Sequence, residues 1–228
     1  MREISIEGVP APIEIRSSAR ARRIRLKIDV RDGAAVLILP PGAALADGVA
    51  FARSKADWLA WHLARVPGRT PFADGAVLPL GGRDHIIRHA IGEKGGVWAD
   101  NGVIHVAGAP DFISRRVTDW LKRRAQAELA AVVFPMAATL GRRVTAIRIG
   151  DPRTRWGSCA SSGRLAFSWR LVLAPPEVLT YVGAHEAAHL VQMNHSPAFW
   201  RVVETLMPDA RRWRDWLRRN GGVLRRYG

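Results

Sequence analysis

His185-Glu186-Ala187-Ala188-His189, followed by Asn194-His195-Ser196-Pro197-Ala198-Phe199-Trp200, is the stretch that decides how the chain is read. Pro176 suits the first turn of a helix, and the pattern carries that helix from there to about Gln192. Four residues of helix turn through about 400°, so the two imidazoles of H-E-x-x-H leave one face a turn apart and can hold one ion. Glu186 is rotated by about 100° from His185, within reach of a water at the ion but not aimed as a principal ligand. Two ligands and a general base follow from five residues.

A catalytic zinc takes three protein ligands and keeps one position open. His195 is the candidate third ligand, just beyond the helix end, and Glu204 is the alternative. The His189-to-His195 interval is that of the longer H-E-x-x-H-x-x-G-x-x-H pattern, but Gln192 stands where that pattern has glycine, which argues against its turn. Ser196-Pro197 reads as an N-cap and first-turn proline for a helix to Met207. A last helix runs from about Asp209 to Asn220, where Gly221-Gly222 is expected to end it.

Upstream, Val144–Ile149, Arg155–Ala160 and Arg164–Ser168 read as three short strands, the last two joined by Ser161-Ser162-Gly163. A helical region covers 109–141, interrupted or kinked at Pro135. Between Phe72 and Gly108, turn pairs such as Asp74-Gly75 and Asn101-Gly102 separate short apolar runs, the pattern of a β-meander. His85 and His89 lie there at i, i+4. On a strand that spacing is about 13 Å, so they are read as ordinary satisfied histidines. At the start, Ile13–Arg16, Arg23–Val30 and Ala35–Leu39 read as strands, with Asp32-Gly33 a hairpin turn. Leu45 to Leu63 follow helical spacing as far as Pro67, with Trp58, Trp61 and His62 on that helix as packing groups. The expected fold class is α+β: a mainly β N-terminal region with one helix over 1–110, then a helical domain with a small antiparallel sheet over 111–228.

The 228 residues carry 35 Lys+Arg against 20 Asp+Glu, a formal charge of +15, and only four of the cations are lysines. Residues 1–110 hold 15 basic and 11 acidic side chains, and residues 111–228 hold 20 and 9. Such a field attracts phosphates or acidic polypeptide and supports weak, salt-sensitive, sequence-independent nucleic-acid association, although an arginine-rich composition also arises without a ligand. One cysteine, Cys159, excludes an intrachain disulfide, and the N-terminal residues lack a signal-peptide pattern, so a cytoplasmic location is expected. No apolar run approaches the roughly 20 residues of a membrane span. Cys159 has no histidine nearby in sequence and is read as a packing residue. Arg155 either orients a substrate carbonyl or phosphate or pairs with an acid. Trp213, Trp216 and Leu217, among Arg211, Arg212, Arg214, Arg218 and Arg219, suit a docked terminal helix better than a nucleic-acid platform.

Arg155-Trp156-Gly157-Ser158-Cys159, Trp169-Arg170-Leu171-Val172-Leu173-Ala174-Pro175-Pro176, the H-E-x-x-H run and Asn194 to Trp200 together resemble the YgjP-type metallopeptidases, small zincins similar to the SprT and WLM groups. The similarity extends upstream through Ser54-Lys55-Ala56-Asp57-Trp58 and the basic hairpin. The resemblance implies a zincin-like (minigluzincin) C-terminal domain holding one Zn2+ per chain on His185, His189 and His195, with Glu186 as general base; a peptidase acting on a polypeptide substrate is the leading expectation. Ala187 stands where leucine is usual and Ser168 where asparagine is usual; neither change removes a ligand or the base. A metal-dependent nucleotide phosphoanhydride hydrolase and a nucleic-acid-associated module acting on DNA-bound protein are the alternatives.

Overall fold

The structure, a computed structural model, describes residues 2–29, 33–64 and 68–228. The chain divides into two compact units at Thr70–Pro71.

The first unit holds strands β1 (Arg2–Ile4), β2 (Ile13–Ser17), β3 (Arg25–Asp29) and β4 (Ala34–Leu39), then helices α1 (Leu45–Arg53) and α2 (Ala56–Leu63). The sheet order is β1-β2-β4-β3, with β2 and β4 parallel and the other pairs antiparallel. Period-two alternation turns Leu26 and Ile28 inward and leaves Arg25 and Lys27 exposed, as the sequence pattern requires. The Asp32 half of the expected hairpin turn, Val30 and the helix stop at Pro67 lie outside the described residues. The single helix expected over 45–63 is two helices. Ser54 Oγ donates to Phe51 O at 2.8 Å, and Lys55 leaves helical geometry with φ −117°, so a local side-chain bond stands where the ladder would continue.

In the second unit, β5 (Val77–Leu80), β6 (Arg83–Ala90), β7 (Val97–Asp100) and β8 (Val103–Ala107) form a sheet in the order β5-β6-β8-β7, with β6 and β8 parallel. A meander would keep chain order. Here β8 takes the central place because its Ile104 and Val106 are fully buried, whereas β7 carries the more exposed Trp98 and Asp100. This sheet shares one core with α3 (Ile113–Thr139), so the compact units part well before the boundary expected near residue 110. Helix α3 runs without interruption through Pro135. Its buried residues recur every fourth position from Ile113 to Ala137, and a four-residue step drifts by about 40° around the axis. The apolar stripe therefore winds: near its start Arg116 donates to Ala107 O of β8 at 2.7 Å, and farther on Val132 and Val133 pack at Gly183.

Strands β9 (Ala146–Gly150), β10 (Gly157–Cys159) and β11 (Arg164–Ser168) form a three-stranded sheet in the order β10-β11-β9. The sheet is mixed rather than antiparallel. The 151–156 loop carries β10 to the far side of β11, leaving β9 parallel to β11. A 3-10 turn over Trp169–Leu173 leads to α4 (Pro176–Ala188), α5 (Pro197–Leu206) and α6 (Ala210–Leu224). Helix α4 ends four residues earlier than expected, and Leu190 N–H and Val191 N–H close tight turns onto Ala187 O and Ala188 O. Helix α6 continues through Gly221-Gly222 instead of ending there. A Cβ on Gly221 would lie 3.0 Å from the Trp156 ring, so this glycine serves close packing rather than a cap.

The 151–156 loop is tied to the C-terminal segment. Arg170, 1% exposed, donates to both Asp151 carboxylate oxygens (3.0 and 3.3 Å), to Leu224 O at 3.4 Å and to Tyr227 O. Arg225 stacks on Trp156 and donates to Pro152 O at 2.7 Å and Arg155 O at 3.3 Å. Arg170→Met would leave Asp151 and two carbonyls without this donor. It is expected to destabilise the 71–228 unit by about 3 kcal/mol or more, read as a lower urea midpoint; an unchanged midpoint would contradict the role of the tie.

Candidate metal centre

Ring nitrogens of His185, His189 and His195, one from each residue, all lie within 4.8 Å of one another and could hold one metal ion. His185 Nε2 and His195 Nε2 are 3.1 Å apart. His185 comes from the last turn of α4, and His189 is that helix's C-cap residue, still in helical geometry (φ −64°, ψ −19°), so the i, i+4 relation survives the early helix end. His189 Nδ1 donates to Gln192 O at 2.9 Å, which fixes the tautomer and leaves the Nε2 lone pair for the shared point. The residue at the glycine position of the longer pattern thus contributes its carbonyl to the ligand's orientation.

The 194–199 turn delivers His195. Asn194 Oδ1 accepts from Ser196 N–H at 3.2 Å, and Ser196 Oγ accepts from Phe199 N–H at 3.5 Å as the cap of α5. The same cap sets Phe199, fully buried, at ring-centroid distances of 4.9 Å from His185, 4.5 Å from His189 and 4.8 Å from His195. One phenyl ring therefore packs on all three imidazoles. Its place in the capped turn was legible, but its contact with the triad needs the path of the 189–195 turn.

His185 Nδ1 is buried without a hydrogen-bond partner, so this ring is held by packing: Phe199, Trp200 at 5.9 Å and Tyr181 at 6.1 Å. Burial, then the neighbouring imidazoles and Arg214, push the His185 pKa down to about 4. Burial also lowers that of His189. Three imidazole nitrogens converging on one point fit a divalent cation, and zinc takes such nitrogens. Glu204 is not in the cluster; it lines a separate hollow with Trp200, Arg211 and Arg214.

Glu186, 5% exposed, lies against β10. A Cβ on Gly157 would come within 2.5 Å of Glu186 Oε1 and 2.6 Å of its Cγ, so only glycine lets the strand approach this closely. Burial raises the Glu186 pKa to about 7, and the Arg155 charge opposes the rise. The Arg155 guanidinium has no ion pair among the described residues, so the alternative of a partner acid holding it in register does not apply. Cys159 Sγ sits near Ala160 O, and burial, then the Glu186 charge, push its thiol to about 11. His85 Nδ1 and His89 Nε2 bond to Arg83 O and Gly108 O. Trp213 and Trp216 pack against the core, and Trp213 Nε1 donates to Asp209 Oδ2 at 2.7 Å, as a docked helix requires. Ser168, fully buried, accepts from Arg170 N–H through its hydroxyl and caps the 3-10 turn.

Residues 22–220 match the YgjP-like family, metallopeptidase domain, and the chain belongs to that family. No curated protein matches the chain. Among solved structures, the metallopeptidase zymogen of Pyrococcus abyssi abylysin is similar over 39% of this chain and 90% of its own, at 23% identity and a TM-score of 0.36. No helix among the described residues is long and apolar enough to cross a membrane.

The Cys159 thiol is expected to react with a disulfide reagent at pH 8 about 100-fold more slowly than an unperturbed cysteine, because its thiolate fraction is that much smaller. Labelling at the rate of the unfolded chain would contradict its assignment as a packing residue. Phe199→Ala, which removes none of the three histidines, is expected to weaken metal affinity about tenfold or more, measured by competition with a chelator; affinity equal to that of the unaltered protein would remove the orienting role.

Proposed function

We propose that the chain is a zinc-dependent peptidase, with His185, His189 and His195 as ligands and Glu186 as general base. The observation that carries this reading is the convergence of three imidazoles beside Glu186, a buried carboxylate next to His185 on α4, in a chain of a metallopeptidase family. A bound zinc ion supplies Lewis acidity, polarising a carbonyl and making water more acidic.

The chain's own groups do the rest. Glu186 takes a proton from the attacking water as that oxygen bonds to the scissile carbonyl carbon. It then delivers the proton to the leaving nitrogen as the C–N bond breaks. Its raised pKa and its wall of Gly157 backbone suit a group that must be free as a base and then hold a proton. Strand β10 is the edge of its sheet, so an extended polypeptide can pair with its free side while Glu186 faces the bond. Tyr181 lines the hollow shared by His185 and Glu186, and burial keeps its hydroxyl protonated, with a pKa of about 12, so it can donate to a developing oxyanion.

The test is cleavage of unfolded polypeptide by the zinc-loaded chain. Glu186→Gln is expected to keep zinc and lose about 100-fold or more in kcat, whereas loss of metal and turnover together would make Glu186 a ligand. Gly157→Ala, which crowds the carboxylate without touching a histidine, is expected to keep zinc with a lowered kcat. A rate equal to that of the unaltered chain would sink the role given to this contact.

A further inference from the structure

A second cavity, of about 500 Å³, lies beside the first and shares Arg155 and Gly157 with the hollow that holds His185 and Glu186. The strand registers locate it. Ser158 pairs with Ala166, and Ala166 with Arg148, so these three form one row across the sheet. Alternation places that row opposite Leu165 and Phe167, which are buried in the core, and opposite Gly157, whose face meets Glu186. The cavity thus opens on the outer face of the sheet, and the metal centre lies toward the inner one.

Three charged side chains line this cavity: Arg148, Asp151 and Arg155. Asp151 is engaged by the buried Arg170 through two hydrogen bonds. Arg148 and Arg155 are exposed, and neither has an ion pair or a side-chain hydrogen bond among the described residues. Two guanidinium groups with their donors unspent, next to a carboxylate already neutralised, make a site for an anion. Arg155 also lines the hollow that holds His185 and Glu186, which puts it on the side of the reacting group.

We infer that this cavity is the subsite for an acidic side chain of the polypeptide substrate, with Arg155 as the cation nearer the scissile bond and Arg148 as the far wall. The inference rests on the peptidase reading and deepens it. A peptide paired with β10 sends alternate side chains to the two faces of the sheet. One set points toward Glu186, and the set between them points over Ser158 toward the two arginines. Asp or Glu is therefore selected at alternate positions near the cleaved bond, and lysine there is repelled.

Binding and cleavage are measured in parallel, because they fail separately. Decapeptides identical except for Glu, Gln or Lys at one position are titrated into the full-length, zinc-loaded Glu186→Gln chain and are also incubated with the active chain. With Glu at the outward position, binding is expected to be about tenfold tighter than with Gln, as a charge-assisted hydrogen bond provides, and weakest with Lys. Arg148→Gln should erase most of that gain, and Arg148→Glu should reverse the order so that the Lys peptide binds best. Both changes are on an exposed side chain, and an unchanged circular dichroism spectrum verifies the fold. Equal affinity for all three peptides, or a Glu preference untouched in Arg148→Gln and Arg155→Gln alike, overturns the subsite. Cleavage without acidic preference keeps the peptidase and removes the subsite, whereas acid-selective, arginine-dependent binding with no cleavage of any peptide removes the peptidase and keeps an anion site. Inorganic triphosphate is the competing probe. If it displaces the Glu peptide at concentrations well below the peptide's own Kd, and does so through Arg148, the cavity belongs to phosphate and the inference falls.

Discussion

Three imidazoles aimed at one point gain little from each other, and in this chain a single phenyl ring keeps them there. Phe199 lies within 4.9 Å, centroid to centroid, of His185, His189 and His195, and it is fully buried. Among the described residues, the Gln192 carbonyl accepts from His189 Nδ1 and so orients that ring. His185 has no hydrogen bond at its Nδ1 and relies on packing. The capped turn that begins α5 therefore serves twice, bringing His195 back to α4 and inserting the ring that fixes the other two. A change that loosens α5 would reach the centre without touching a ligand.

The second constraint is the distance between β10 and α4. Glu186 is buried because Gly157 has no side chain to exclude it, and its position is as good as the placement of that strand. Placement comes from the far end of the chain: Arg170 and Arg225 bind the 151–156 loop to carbonyls and a ring that cannot be read from local pattern. Arg170, buried, and Arg225, half-buried, hold the loop, while Arg155 and Arg148 are exposed and make no ion pair among the described residues. The same residue type thus builds the scaffold in one pair and, in the proposed subsite, lines a recognition surface in the other.

Much of this was legible in the sequence. Helical spacing in His185-Glu186-Ala187-Ala188-His189 was enough to put two rings on one face, and Ser196-Pro197 was enough to start α5, because both are local chemistry. What failed was long-range. Gly221-Gly222 reads as a helix stop, yet Trp156, distant in sequence, requires a glycine inside the helix. The strands after Phe72 read as a meander, but burial of Ile104 and Val106 puts β8 in the middle. The small sheet was expected to be antiparallel, and the 151–156 crossover makes it mixed. The expected boundary near residue 110 separated a sheet from α3, with which it shares a core. In each case tertiary packing overrode a local signal.

The decisive measurement is zinc X-ray absorption on the metal-loaded chain. Three nitrogen scatterers at about 2.0–2.1 Å with imidazole outer-shell features and one further light scatterer are expected, and one fewer imidazole when His195 is replaced by alanine. A shell containing sulfur at about 2.3 Å, or an imidazole count that does not change in His195→Ala, would contradict ligation by the three histidines.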